Sequence, residues 1–145
     1  MKKLILLMLL IVVSYAKMEF SDPKPSFDEP RKWMIKMNFN DKERVKHTLG
    51  AIYNVLKEYP QESIKISVVT YAYGMRVLKK DYDKELSAKV QSLMEYDVEF
   101  VACKNTMQTM NWTKDDFIDD LTYVQTGLAE VIERKVAGWI EATPY

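Results

Sequence analysis

The sequence predicts a single α/β domain: a mainly parallel five-stranded sheet with helices on its faces. Three observations carry this. Strand-period and helix-period segments alternate five times along the chain, the pattern that right-handed βαβ crossovers produce. Polar turn and capping residues separate the segments. The chain that remains after a leader is long enough for one core and too short for two.

The elements follow in order. Trp33, Ile35, Met37 and Phe39 alternate with Lys36 and Asn38, a first strand over 33–39. Asn40 with Glu43 resembles a capping box. Val45, Leu49, Ile52, Leu56 and Tyr59 then form one helical stripe that ends at Pro60. Ile64, Ile66 and Val68 mark a second strand running out at Tyr73-Gly74, and Leu86, Val90, Leu93 and Met94 a second helix. Val98 to Ala102 is a third strand, followed at once by Cys103 and a short helix over Lys104 to Trp112. Thr113 with Asp116 gives another capping signature. Leu121 to Val124 is a fourth strand, and Thr126-Gly127 leads into a helix whose Leu128, Val131, Ile132 and Val136 are expected to face inward. Gly138 ends that helix, and Trp139 to Ala142 completes the sheet. Lys36, Asn38, Lys65, Ser67 and Glu99 fall at alternate strand positions, whereas parallel strands covered on both faces are usually apolar throughout. Either one sheet face is thinly covered or another subunit covers it.

Residues 1–16 read as a cleavable secretory signal peptide. Lys2 and Lys3 supply the positive start, Leu4 to Val13 an unbroken apolar run, and Ser14-Tyr15-Ala16 puts small residues at the two positions that signal peptidase inspects. That run is too short to span a bilayer, which takes about 20 residues, so no membrane association is expected after cleavage. No cysteine follows it to carry a lipid anchor. Residues 17–32, with Pro23, Pro25 and Pro30, read as an extended leader, and 33–145 as the folded domain. Periplasmic localisation is the expectation.

Loss of Lys2 and Lys3 leaves 19 basic against 21 acidic residues. This is not the basic footprint that nucleic acid demands. Neither a nucleophile elbow nor a phosphate-binding loop is present, and four glycines argue against a nucleotide fingerprint, so no cofactor is expected. His47, the single histidine, lies off the first helix's apolar stripe and is expected to face solvent; with no second His or Cys to join it, no metal site is assigned.

Cys103 is the candidate for chemistry. It is the only cysteine, so no intramolecular disulfide exists. It falls at the carboxyl end of a strand, where open α/β sheets bind ligands, and just before a helix whose N–H groups favour a thiolate. A lone thiol in an oxidising compartment is either buried and inert or kept for its reactivity. Asn40, Asp41, Tyr73, Gly74, Asn105, Thr106 and Thr126 are expected to rim the same cleft. Cys103, Met107 and Met110 also share a helix face. A thiolate with two thioethers is a soft ligand set suited to Cu(I), so a binding module for copper or a small anion is the alternative function; core methionines are the plainer reading of that stripe.

The run Val98-Glu99-Phe100-Val101-Ala102-Cys103-Lys104-Asn105-Thr106-Met107 resembles the central motif of the DsrE/DsrF-like sulfur-relay family, in which a hydrophobic strand delivers a cysteine followed by a polar Asn-Ser/Thr pair. Asn54-Val55-Leu56, Val68-Val69-Thr70 running into Gly74-Met75, Val124 to Glu130, and Gly138-Trp139-Ile140-Glu141 resemble its other segments in the same order. The resemblance implies flavodoxin- or Rossmann-like layering and assembly into homotrimers or homohexamers. It further implies that Cys103 accepts sulfane sulfur as a persulfide. Because the best-understood relay members are cytoplasmic, the sulfur donor and acceptor of an exported member are left open.

Overall fold

The structure, a computed structural model, describes residues 18–145. The expected signal segment, 1–16, lies outside the described residues. Among the described residues no helix is long and apolar enough to cross a membrane.

Five strands, β1 (Arg31–Met37), β2 (Ile64–Thr70), β3 (Glu99–Cys103), β4 (Thr122–Val124) and β5 (Ile140–Glu141), alternate with four helices: α1 (Lys42–Glu58), α2 (Lys84–Glu95), α3 (Lys104–Met110) and α4 (Gly127–Val136). All strand pairs are parallel and the order is β4-β3-β2-β1-β5. Chain direction explains the layering. Right-handed crossovers stepping from β1 to β4 keep their helices on one face. The last crossover runs back across the whole sheet to β5, so α4 lies on the other face, against β1, β2 and β3.

The two faces differ as the strand alternation predicts. On the α1/α2 face Ile35, Met37, Leu49, Ile52, Val68, Met75, Leu93 and Phe100 form the main core with almost no exposure. Each such side chain contributes roughly 1.5–3 kcal/mol through burial. On the α4 face only Met34, Val69, Val101 and Val131 make a small apolar cluster. The polar strand residues fall beside them: in register Met34 pairs with Ser67, Lys36 with Val69 and Ser67 with Glu99. A single helix thus covers this face, and ion pairs fill what it leaves, Lys36 to Glu141 at 2.6 Å and Arg134 to Glu99 at 2.8 Å.

Several boundaries differ from those expected. Trp33 and Ile64 lie within strands, while Val98, Leu121 and Trp139 each stand one residue before one. β1 ends at Met37; Phe39 lies beyond it, capped by the Arg44 guanidinium 3.7 Å from its ring centroid. The cap of α1 is Asp41, not Asn40: the Asp41 carboxylate accepts from the Arg44 N–H at 2.9 Å. Asp83, which the sequence reading passed over, caps α2 in the same way. The Thr113–Asp116 capping box holds a 3-10 turn, Lys114–Asp116. Two contacts tie the leader to the domain: Phe20 packs on Tyr59 with ring centroids 4.9 Å apart, and Arg31 donates to the Ser21 carbonyl at 2.7 Å.

The largest departure concerns α4. Of its four expected core residues only Val131 is buried; Leu128, Ile132 and Val136 are 55, 59 and 79% exposed. The inward line runs instead through Gly127, Val131 and Arg134, because Gly127 sits close over Cys103 and Arg134 reaches Glu99.

Candidate functional site

Cys103 closes β3 and is at the same time the N-cap residue of α3. Its backbone N–H donates to the Met75 sulfur at 3.2 Å, which fixes the corner from below. β4 runs alongside, pairing Val124 with Cys103, so α4 starts next to it. The N–H of Gly127, the first residue of α4, donates to Cys103 Sγ at 3.3 Å. The sulfur therefore sits between the N-termini of two helices, each with N–H groups that have no intrahelical acceptor.

Glycine at 127 makes this approach possible. A Cβ there would lie 3.0 Å from the Tyr71 Cβ and 3.4 Å from the Cys103 Cβ. The neighbouring polar groups lock the two corners together. Asn105 donates from its side chain to Thr126 Oγ1 at 3.0 Å and accepts from the Gln125 amide, while its backbone N–H donates to the Gln125 carbonyl at 3.0 Å. The Ala72 N–H donates to Thr106 Oγ1 at 3.0 Å, which leaves the hydroxyl proton of Thr106 free for the sulfur.

These contacts set the acid–base character of the thiol. Burial pushes its pKa up, but the backbone N–H groups of Thr106, Gly127 and Asn105 and the Thr106 hydroxyl together hold it below the ordinary value. When protonated, the thiol has the Gln125 carbonyl at 3.8 Å as acceptor. Cys103 is only 4% exposed, so the thiol is shielded in the single chain.

Of the residues expected around the cleft, Asn105 and Thr106 donate to Cys103 directly, and Thr126 is joined to them through the Asn105 side chain. Gly74 is buried in the 3-10 turn Ala72–Leu78, where a Cβ would fall 1.9 Å from the Met37 carbonyl oxygen, so glycine is what lets the two backbones approach. Tyr73 beside it is 67% exposed. Asn40 and Asp41 follow the carboxyl end of β1; the main-chain carbonyl of Asn40 accepts from the Tyr82 hydroxyl at 2.8 Å, and the Asp41 carboxylate caps α1. Met107 is buried in the main core and Met110 is 37% exposed at the end of α3. His47 is exposed, as expected. Among the described residues no three His, Cys, Asp or Glu side chains gather to hold a metal. Sequence reasoning did not assign roles to Met75, Tyr71 and Gly127. The Gln125-Thr126-Gly127 turn was visible as a helix start; that it belongs to the cysteine follows only from β4 pairing with β3.

The fold and site define a parallel α/β domain that holds one strand-end thiol between two helix N-termini. The chain belongs to the DsrE/DsrF-like family, whose sequence model matches residues 34–135. Among solved structures it is similar to a protein of unknown function, MTH1491, from Methanobacterium thermoautotrophicum: 28% identity, TM-score 0.73, covering 79% of this chain and 99% of that one. No curated protein matches the sequence.

Proposed function

We propose that this protein is a periplasmic sulfur carrier that takes up sulfane sulfur on Cys103 as a persulfide and passes it on. Membership of the DsrE/DsrF-like family points to a sulfur-relay-type role. The observation that carries the finer reading is the Gly127 N–H on Cys103 Sγ, which with the first turn of α3 stabilises a thiolate. The step needs no external oxidant. The Cys103 thiolate attacks the terminal sulfur of a donor persulfide, a new S–S bond forms, the donor's S–S bond breaks, and its electron pair leaves with the donor thiolate. Attack by an acceptor thiolate on the outer sulfur reverses the bookkeeping and regenerates Cys103. The N–H groups that favour the thiolate also favour the anionic persulfide. The apolar run Leu4 to Val13 behind Lys2 and Lys3, followed by Ser14-Tyr15-Ala16, supports export.

Assembly into a homotrimer or homohexamer belongs to the same proposal. Leu128, Ile132 and Val136 form an exposed apolar stripe on α4, with Ile140 also exposed at 60%, and exposed apolar patches of this kind commonly mark interfaces. The stripe begins one residue from Gly127, so a neighbouring copy seated on it lies close to the thiol.

Mass spectrometry after polysulfide treatment tests the carrier reading. Addition of about 32 Da per transferred sulfur atom at Cys103, reversed by a small thiol and absent from Cys103→Ser, is the expected result. A Cys103 that stays unmodified in the native protein and labels only after denaturation rules it out.

A further inference from the structure

At the sheet edge opposite Cys103 lies an aromatic groove of about 880 Å³ that the sulfur chemistry does not use. Its size is that of small-molecule sites, roughly 300–1,000 Å³. Tyr53 and Tyr59 reach it from the end of α1, Tyr96 from the end of α2 and Trp139 from the start of β5. Tyr53 and Tyr96 meet edge to face with centroids 6.3 Å apart, and Tyr96 is left 62% exposed.

The charges around these rings are unevenly placed. Glu95 and Asp97, the chain neighbours of Tyr96, both line the groove, as does Glu62. Among the described residues none of these three carboxylates has an ion-pair or side-chain hydrogen-bond partner, in contrast to Glu99, which Arg134 holds. An adjoining groove of about 560 Å³ continues past Glu95 and Asp97 to Asp119 and Asp120, and no basic residue lines it. Lys57 and Lys65 line the first groove over α1 and β2, away from that acidic continuation.

We propose that this groove binds a small organic cation with an apolar body, of the quaternary-ammonium type. Ring faces carry negative quadrupole charge and attract a diffuse, weakly hydrated cation. The unpaired carboxylates beside Tyr96 supply the countercharge. A neutral apolar ligand covering the same surface strips water from those carboxylates without replacing it, at a cost in affinity. The proposal does not depend on the sulfur-carrier reading.

Calorimetric titration of the full chain with phenyltrimethylammonium, against its neutral isostere tert-butylbenzene, tests this. Saturable binding is expected for the cation, with the isostere about tenfold weaker. Tyr96→Ala and Asp97→Asn should each weaken the cation about three- to tenfold, and Tyr96→Phe, which keeps the ring, should not. Asp97 has left-handed backbone, φ 60°, which asparagine adopts as readily, so that variant removes charge alone. Equal affinity for the neutral isostere, absence of saturable cation binding, or cation binding unchanged in both Tyr96→Ala and Asp97→Asn overturns the proposal.

Discussion

Replacing Gly127 with proline and with alanine isolates the hydrogen bond on which the thiol's character depends. Gly127 is the first residue of α4, so its N–H has no partner within the helix and is directed at Cys103 Sγ, 3.3 Å away. Proline suits that position, and Thr126 before it is already extended at φ −133°, ψ 114°. Both variants add a Cβ at 3.0 Å from the Tyr71 Cβ, so they share that steric strain; proline alone deletes the N–H. A hydrogen bond to a charged group is worth about 1.5–3 kcal/mol, and the length of this one favours the lower end. One pKa unit corresponds to about 1.4 kcal/mol, so the Cys103 pKa should rise by about one unit in Gly127→Pro relative to Gly127→Ala. The rate of iodoacetamide alkylation against pH measures it directly. Two variants that titrate together would show that the second helix does not contribute to the thiolate, and the two-helix account of the site fails.

Linkage gives a second reading of the same contact. The folded-state pKa of Cys103 is depressed, so its stabilising contribution is complete above the unfolded value, about 8.5, and is lost as pH falls through the folded value; the stability of wild type relative to Cys103→Ser should therefore rise with pH across that window in denaturant titrations. Gly74→Ala should destabilise by about 3 kcal/mol or more, since its Cβ meets main-chain atoms of Met37 that cannot swing aside; a melting temperature within a degree or two of wild type refutes the close-approach role. Burial pushes the Glu99 pKa up, but Arg134 together with the Ser67 and Thr122 hydroxyls holds it below the ordinary value. Glu99→Gln should then cost about 1 kcal/mol near neutral pH, a value discounted for partial exposure, and the deficit should vanish as the wild-type carboxylate protonates below its ordinary range. Ile132→Glu should convert any oligomer to monomer in light scattering while leaving the far-ultraviolet circular dichroism unchanged.

The layers are legible because period and punctuation agree: Val45, Leu49 and Ile52 repeat at helical spacing, and Lys36, Ser67 and Glu99 at alternate strand positions mark a half-polar sheet face. What escaped was decided by tertiary geometry. Asn40 and Asp41 are both good caps, and only the point at which the backbone turns selects Asp41. The residues of α4 offer an apolar line through Leu128, Ile132 and Val136, and periodicity alone assigns it inward. The helix is rolled instead by the tight seating of Gly127 and the reach of Arg134. At the site, Cys103, Asn105 and Thr106 are contiguous and were found together. Gly127 and Met75 arrive from other crossovers, and nothing local marks them. The amino-edge groove is harder still, because Tyr53, Tyr96 and Trp139 are far apart in sequence and arrive from α1, the end of α2 and the start of β5.

Both edges of the sheet are stubs: β4 has three residues and β5 two. Edge strands this short offer few free main-chain donors and acceptors to another chain. Extension of the sheet from one copy into the next is therefore a poor route for association, native or pathological. Any association of copies would then run through side chains, and in the assembly proposed above single substitutions on the outer face of α4 would tune or abolish it without disturbing the sheet.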